Sequence, residues 1–280
     1  GMRCRGYAQT AGSVSLDFLR ADGASERVEA DIAVACDGVN SVVRKQFYPH
    51  DKVCFAGMMQ YDGDLKIPGR FLVAPPAISK TLSHYLCANG LSSFAISETQ
   101  KYGHVTYFWN GNNSDYIDKN LETYVEIPSY NVPFDEKPEM RAREITDKTI
   151  ELLKTGRYQF GRINFPNGDM VGHTGSMPAT IKSVEVTDQC VNELIQAIDK
   201  LHGITIILAD HGNADQMSEI KNGVSIPKTS HTLNPVPFAI CDSGYQGEYS
   251  IDRSLDTPGL ANVAATVCNL LGYEAPADYC

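Results

Sequence analysis

Apolar residues repeat at helical spacing towards the C-terminus of the chain and predict two helices there. The first is predicted to start at Pro178 and to end before Gly203, because glycine commonly follows the last turn of a helix. Its apolar positions, which fall on one predicted face, are Ile181, Val184, Val191, Leu194, Ile198 and Leu201. The second helix is predicted to follow Thr257 and Pro258, since proline is favoured in a first turn.

Short apolar runs predict strands that alternate with these helices. Residues 204–209 form one such run and predict a buried strand. Further strands are predicted at residues 91–97, 158–165 and 236–241. Further helices are predicted at residues 79–88 and 138–155, the latter with Pro138 near its first position. The alternation predicts an α/β fold, with an open sheet that carries helices on both faces.

Two regions of the chain give other patterns. Residues 98–111 do not decide between helix and strand, and the interruptions in residues 112–138 predict a long loop with short strands. The N-terminal segment alternates apolar and polar residues from Val14 to Phe18, and Asp22 with Gly23 predicts a turn before return strands. The chain therefore has a small β-rich segment ahead of its α/β part.

Composition and charge limit the partners of this fold. The chain has 280 residues, of which 42% are hydrophobic and 21% charged, as in a soluble globular protein. Its net charge of -10 and its lack of a Lys/Arg run argue against nucleic-acid binding. No apolar run approaches the ~20 residues that a membrane helix needs, and no signal peptide is evident, so a cytoplasmic location is expected. The 8 cysteines include no C-x-x-C pair, which argues against a zinc knuckle or a disulfide framework.

Five side chains with metal-ligand chemistry follow the predicted strands. They are Asp169 and His173 in a Gly-rich loop, Asp210 and His211 after the strand at residues 204–209, and His231. Carboxylate oxygens and imidazole nitrogens together suit divalent metals such as Zn²⁺ or Mn²⁺. Taken singly, each histidine could instead be a structural hydrogen-bonding residue, and Asp169 could belong to an Asx-turn.

A separate motif lies at residues 35–44, where a predicted strand ends in Asp37 and Gly38 and is followed by Ser41 and Arg44. It resembles the second nucleotide motif of flavin-dependent aromatic hydroxylases, and the resemblance covers about residues 3–49. By that resemblance Asp37 would lie near the ribose and pyrophosphate of FAD. The family also needs G-x-G-x-x-G, which the chain lacks, so a strand-to-helix turn is the favoured interpretation of Asp37.

Residues 53–280 resemble the C-terminal part of the cofactor-independent (bisphosphoglycerate-independent) phosphoglycerate mutases, which belong to the alkaline-phosphatase superfamily. The motifs that carry the resemblance are YDGDL (61–65), GHVT (103–106), FWNG (108–111), NGDMVGHTG (167–175), ADHGNA (209–214), SHT (230–232) and TPGLANVA (257–264). Their number and their order along the chain make the match specific. The resemblance implies an alkaline-phosphatase-like α/β fold.

The same resemblance implies the chemistry of the site. It assigns Asp169, His173 and His231 to one Mn²⁺ ion, and Asp210 with His211 to a second. Lys101 matches a lysine near the phosphorylated serine of the family. The implied activity is an isomerase reaction of glycolysis, in which a phosphoryl group passes from 3-phosphoglycerate to an enzyme serine and back to form 2-phosphoglycerate. Two metals would stabilise the attacking and leaving oxygens.

The chain also departs from that family, because the segment with the serine nucleophile and the transferase domain are not found in it. We therefore expect a fusion of residues 1–52, the flavin-hydroxylase-like fragment, with residues 53–280, the phosphatase-domain part of a mutase. The alternatives are a non-catalytic metal-binding remnant and a metal-dependent phosphatase in which water replaces the serine. An incomplete sheet would expose edges through which two copies could associate.

Overall fold

The computed structural model describes residues 2–9, 13–20, 22–30, 56–60, 66–74, 76, 78–113 and 115–279. The chain divides into two compact units, Gly1–Asp62 with Lys66–Ala74 and Gly63–Leu65 with Pro75–Cys280. Asp37 and the motif around it lie outside the described residues, as does the predicted junction near residues 50–52. No helix in the described ranges is long and apolar enough to cross a membrane.

The first unit contains an antiparallel sheet of three strands. Its strands are β1 (Met2–Gln9), β2 (Val14–Arg20) and β3 (Ser25–Ala30), in the order β1-β2-β3. Between β2 and β3, Gly23 has a φ of 85°, and Oδ1 of Asp22 accepts a 3.0 Å hydrogen bond from the backbone N–H of Ala24. Glycine tolerates positive φ, so the predicted turn is confirmed. Two short strands, β4 (Gly57–Met59) and β5 (Phe71–Val73), pair in parallel.

The second unit alternates helices and strands, which confirms the predicted α/β class with open sheets. In chain order its elements are α1 (Leu82–Ala88), β6 (Ser93–Glu98), α2 (Thr99–Gly103), a π-helical turn (His104–Phe108), β7 (Glu122–Ile127), α3 (Ala142–Lys154), β8 (Phe160–Asn164), α4 (Asn167–Gly172), α5 (Met177–Asp199), β9 (Thr205–Leu208), β10 (Ser218–Lys221), β11 (Val224–Pro227), β12 (Phe238–Cys241), a 3-10 turn (Leu260–Asn262) and α6 (Val263–Leu270).

A parallel sheet in the order β7-β6-β8 positions the first part of the site. Its central strand β6 is buried throughout, and Phe94 and Ile96 cluster with Ile145 and Leu152 of α3. Because β6 and β8 run in the same direction, their carboxyl ends lie at one edge of the sheet. The helices α2 and α4 begin at that edge, where open α/β sheets commonly hold their sites.

The long helix α5 occurs where it was predicted, but its predicted apolar face is only partly buried. Ile181 and Val184 are 52% and 47% exposed. The buried positions are Ala179, Thr180, Ser183, Val186, Cys190 and Leu194. Most of these side chains are small and let α5 pack closely against α3 and α4, where Ala142 and Val171 contact it. The neighbouring helices, which apolar spacing alone does not reveal, therefore decide which face is buried.

Two other predictions need correction. The strand predicted to be buried, β9, is only partly buried, and Leu208 is 38% exposed. Among the described strands β9 pairs with β12 alone, in an antiparallel sheet, and Ile206 packs against the core cluster that contains Leu86 and Val267. The helix α3 begins at Ala142 and not at Pro138, because Met140 has a φ of 45° that a helix does not allow.

Candidate metal centre

Asp169 and His173 are positioned by α4 and not by the loop that the sequence predicted. Asp169 lies in the first turn of this short helix, and His173 is its C-cap, directly after Gly172. Residues four apart on a helix share a face, so the two side chains point in the same direction. The start of α4 is tied down by Asn167, whose Nδ2 donates hydrogen bonds to the carbonyl oxygens of Pro138 and Glu139 at 3.1 and 2.9 Å.

His231 joins this pair from a loop far along the chain. Oδ1 of Asp169 lies 3.0 Å from Nε2 of His231 and 3.1 Å from Nε2 of His173, and the two nitrogens are 3.1 Å apart. Within the described part of the chain, these three residues form the one group of at least three His, Cys, Asp or Glu side chains close enough to hold a metal ion. The structure thus brings together three of the five ligands expected from the sequence.

The ring of His173 is oriented by a backbone carbonyl. Its Nδ1 lies 2.6 Å from the carbonyl oxygen of Thr229, a contact in which the nitrogen must donate. In the neutral imidazole, Nε2 then carries a lone pair, and that lone pair faces the Asp169 carboxylate oxygen at 3.1 Å. Two acceptors at this distance need a proton or a cation between them. A metal ligated by Nε2, with Nδ1–H held by a carbonyl, is a common arrangement in proteins.

Asp169 is also contacted by two groups that favour its charged form. Nζ of Lys101, at the start of the helical segment after β6, lies 2.5 Å from Oδ2, and Nδ2 of Asn213 donates to Oδ1 at 2.8 Å. Desolvation alone would raise the pKa of Asp169, but the hydrogen bonds from Lys101 and Asn213 outweigh it and lower this pKa to about 2. The carboxylate is therefore ionised and available as a metal ligand at any ordinary pH.

Asp210 and His211 occupy a different position from the other three predicted ligands. The ring of His211 stacks on that of His231 with centroids 3.7 Å apart, and its Nε2 lies 3.5 Å from Oδ2 of Asp210. The Asp210 side chain is 54% exposed, and neither residue belongs to the group of three converging ligands. Their assignment to a second metal stays a prediction.

Two residues near the centre received no role from the sequence. Asn213 is buried and binds Asp169, and the only signal was its place inside the motif ADHGNA. His104, the other residue, lies inside the motif GHVT. Desolvation, followed by the charge of Lys101, lowers the pKa of His104, while the carboxylates of Asp210 and Asp169 act in the opposite direction. His104 therefore lies within electrostatic reach of the candidate metal centre.

The donor set fits a divalent transition metal. One carboxylate oxygen and two imidazole nitrogens converge from one side, and His173 and His231 are 38% and 48% exposed. Three protein ligands with an open side are typical of a catalytic site, which keeps positions for water or substrate, whereas a structural site is closed by a fourth ligand. The arrangement can therefore hold a metal and present it to a small molecule.

Comparison with known proteins identifies relatives of similar sequence. The family model of the Metalloenzyme superfamily matches residues 9–275. The chain is 50% identical over 240 residues to a probable 2,3-bisphosphoglycerate-independent phosphoglycerate mutase of Leptospira interrogans, which covers 82% of this chain and 43% of the relative. It is also 50% identical over 237 residues to the 2,3-bisphosphoglycerate-independent phosphoglycerate mutase of Trypanosoma brucei brucei, covering 81% and 43% of the two chains. The chain thus spans less than half the length of the curated relatives it matches.

A solved structure supports the same relationship. Phosphoglycerate mutase of Leishmania mexicana, crystallised at low cobalt concentration, has 52% sequence identity and a TM-score of 0.76 to this chain, over 80% of this chain and 42% of the other. Its identity is high enough for the likeness to extend beyond the fold. Because the family model matches almost the whole chain, this protein belongs to the Metalloenzyme superfamily.

Proposed function

We propose that residues 53–280 are the phosphatase-domain part of a cofactor-independent phosphoglycerate mutase, and that Asp169, His173 and His231 bind Mn²⁺ within it. The observation that carries the proposal is the convergence of the two Nε2 atoms on Oδ1 of Asp169, at 3.0 and 3.1 Å, with Nδ1 of His173 held by the carbonyl oxygen of Thr229. The relatives named as phosphoglycerate mutases support the assignment of phosphoglycerate as the substrate.

In this proposal the chain's own residues prepare the site for a phosphorylated substrate. Lys101 neutralises the second oxygen of Asp169, so that Oδ1 remains directed at the histidines. The carbonyl of Thr229 holds the His173 ring, and His211 packs against His231. A divalent metal at such a site supplies Lewis-acid stabilisation of charge on a transferring phosphoryl group. Asp210 and His211 are proposed as ligands of a second metal.

Calorimetric titration of Mn²⁺ into metal-stripped protein tests the site. We expect one ion to bind through the three converging ligands, with a further ion if Asp210 and His211 take part. His231→Ala should weaken the first event strongly, because it removes one of three ligands. His84→Ala is the matched control, since the His84 ring contacts Thr81 at 2.8 Å on α1 and is not among the converging ligands. Absence of Mn²⁺ binding in the unaltered protein would refute the proposed site. Stronger binding of Zn²⁺ or Co²⁺ would show that the site prefers a metal other than Mn²⁺.

Activity assays separate the proposed mutase from its alternatives. The protein is incubated with Mn²⁺ and 3-phosphoglycerate, and phosphorus NMR follows formation of 2-phosphoglycerate and of free phosphate. The sequence contains no match to the family's nucleophile segment, so we expect turnover only when that segment is supplied by a second polypeptide. Release of free phosphate by this chain alone would favour the metal-dependent phosphatase, in which water is the acceptor. If the protein binds metal but catalyses neither reaction, with or without the second polypeptide, the non-catalytic remnant is favoured.

A further expectation concerns the N-terminal segment of the chain. We propose that residues 1–52 are a fragment similar to flavin-dependent hydroxylases that does not bind FAD, since G-x-G-x-x-G is missing. Equilibrium dialysis should leave added FAD free.

We also propose that the chain self-associates through sheet edges, because β8 and β9 each lie at the edge of a described sheet. Light scattering during size-exclusion chromatography would show a monomer if this is wrong.

A further inference from the structure

We propose that Asp215 is a positioning residue that fixes His231 opposite Asp169 and His173. This inference rests on the proposed metal site, and it concerns a residue that neither the sequence motifs nor the converging ligands had assigned. Asp215 lies in the segment between β9 and β10, outside the group of three ligands. Its carboxylate accepts side-chain hydrogen bonds from the loop that carries His231.

The hydrogen bonds of Asp215 join two loops that are distant in sequence. Its oxygens Oδ1 and Oδ2 accept from the hydroxyl of Thr232 at 3.2 and 3.0 Å, and Oδ2 also accepts from Nδ2 of Asn234 at 2.5 Å. The backbone N–H of Thr232 donates to the carbonyl oxygen of Gly212 at 2.9 Å, which forms an isolated β-bridge. The loop after β9 therefore holds the loop of residues 230–234 by both backbone and side chain.

His231 depends on this junction for its position. It directly precedes Thr232, and its side chain is 48% exposed, so packing alone does not hold it. By contrast, His173 is the C-cap of a helix and its Nδ1 donates to the Thr229 carbonyl oxygen. A shift of the Thr232 backbone would move the His231 ring away from Asp169 and from the stacked ring of His211.

The space around Gly212 shows how close the two loops are. A Cβ atom at this position would collide with the hydroxyl of Thr232 and would lie 2.5 Å from Oδ1 of Asp215. Only glycine permits this approach. The close approach of the two backbones at Gly212 thus keeps Asp215 and Thr232 in contact, as expected if this contact sets the position of His231.

The carboxylate is suited to this role because it only accepts hydrogen bonds. Thr232 and Asn234 both direct a donor at it. An asparagine at position 215 would keep one acceptor oxygen, replace the other with an amide NH₂ and remove the negative charge, so its hydrogen bonds with Thr232 and Asn234 would be weaker. Asp215→Asn is nearly isosteric, so it tests the hydrogen bonds with little change in volume.

Calorimetric titration with Mn²⁺ compares Asp215→Asn with the unaltered protein. We expect affinity to fall by about 10–100-fold, the usual effect of losing a partner that orients a metal ligand. The thermal midpoint of the metal-free protein should hardly change, since Asp215 is exposed. Asp252→Asn is the matched control, because Asp252 accepts two hydrogen bonds from Ser254 in its own exposed loop. Equal affinity in Asp215→Asn and Asp252→Asn would overturn the inference.

A pair of changes at Thr232 gives an independent arm if Asp215→Asn does not fold. Thr232→Ser keeps the hydroxyl that Asp215 accepts and should retain Mn²⁺ affinity. Thr232→Val keeps the shape and loses the hydroxyl, and should lower affinity as Asp215→Asn does. Similar affinity in the two variants would show that the hydrogen bond to Asp215 has no positioning role.

A second measurement separates this inference from the proposed metal site. In the metal-free protein, stacking on His211 should shift the His231 ring-proton resonances upfield. Asp215→Asn should remove that shift while the resonances of His84, which lies outside the centre, stay in place. Unaltered protein that fails to bind Mn²⁺ refutes the proposed function but not the role of Asp215. A His231 resonance that is the same in Asp215→Asn and in the unaltered protein refutes the role of Asp215, whether or not metal binds.

Discussion

Replacing Lys101 with methionine is predicted to destabilise the protein through Asp169. Nζ of Lys101 lies 2.5 Å from Oδ2 of Asp169, and the two side chains are only 7% and 13% exposed. Methionine is of similar length and has no charge, so Lys101→Met preserves most of the packing. It leaves the buried Asp169 carboxylate without its cation, and an unpaired buried charge strongly lowers the stability of the folded state.

The pKa of Asp169 sets the size of the effect. Desolvation would raise this pKa, yet the hydrogen bonds from Lys101 and Asn213 lower it from 3.8 to about 2. At about 1.4 kcal/mol for each pKa unit, ionised Asp169 stabilises the folded state by about 2 kcal/mol. A lowered carboxyl pKa gives stability that is present above the unfolded-state pKa and is lost as pH falls from about 4 to about 2. Lys101 makes the largest of the interactions that lower this pKa, so Lys101→Met should cost on the order of 2 kcal/mol of unfolding free energy at neutral pH and clearly less near pH 3.

Urea denaturation of metal-stripped protein at neutral pH and at about pH 3 measures this cost. The matched control is Lys148→Met, because Lys148 pairs with Glu151 at 2.7 Å on the surface of α3, where the two side chains are 37% and 67% exposed. An exposed pair of this kind contributes about 0.5 kcal/mol or less. The reasoning is refuted if Lys101→Met costs no more than Lys148→Met at neutral pH, or if its cost is the same at both pH values.

Three further predictions test the core, the centre and the metal. Phe94 is buried against α3 and has an edge-on ring contact with Tyr158 at 5.3 Å. Phe94→Ala should therefore lower the unfolding free energy, measured by urea denaturation, by about 3–5 kcal/mol, and a loss below about 1 kcal/mol would contradict this packing. A Cβ at Gly172 would lie 2.5 Å from Oδ1 of Asn213, so Gly172→Ala should displace the Asn213 side-chain amide from Asp169. We expect Mn²⁺ affinity, measured by calorimetry, to fall roughly tenfold, and unchanged affinity would contradict this prediction. Mn²⁺ at about 100 times its Kd should raise the unfolding free energy by about 2.7 kcal/mol, an effect that a chelator removes and that His231→Ala should lack.

Sequence patterns located most elements of the second unit because local rules decide them. Runs of apolar residues gave β6, β8, β9 and β12 within a few residues, and Gly156, with a φ of 63°, follows α3 where a helix stop was predicted. The pattern did not give the buried face of α5, the partial exposure of β9 or the start of α3. Those features depend on which helix or strand lies alongside, which is set by residues far away in the chain.

The chemistry of the candidate metal centre was visible in the sequence, because a carboxylate and imidazoles are the same ligands in any fold. Asp169 and His173 could be paired from their spacing alone. The family resemblance already implied that His231, 62 residues from Asp169, completes the group, and the tertiary structure brings its Nε2 to the Asp169 carboxylate. Only the tertiary structure decided that Lys101 pairs with the same carboxylate. It also placed Asn213 against Asp169, and Asp215 against Thr232 next to His231, although the sequence had left both residues without a role. Side-chain type is a property of one residue, whereas a ligand's position depends on packing and hydrogen bonds between loops that meet only in the folded chain.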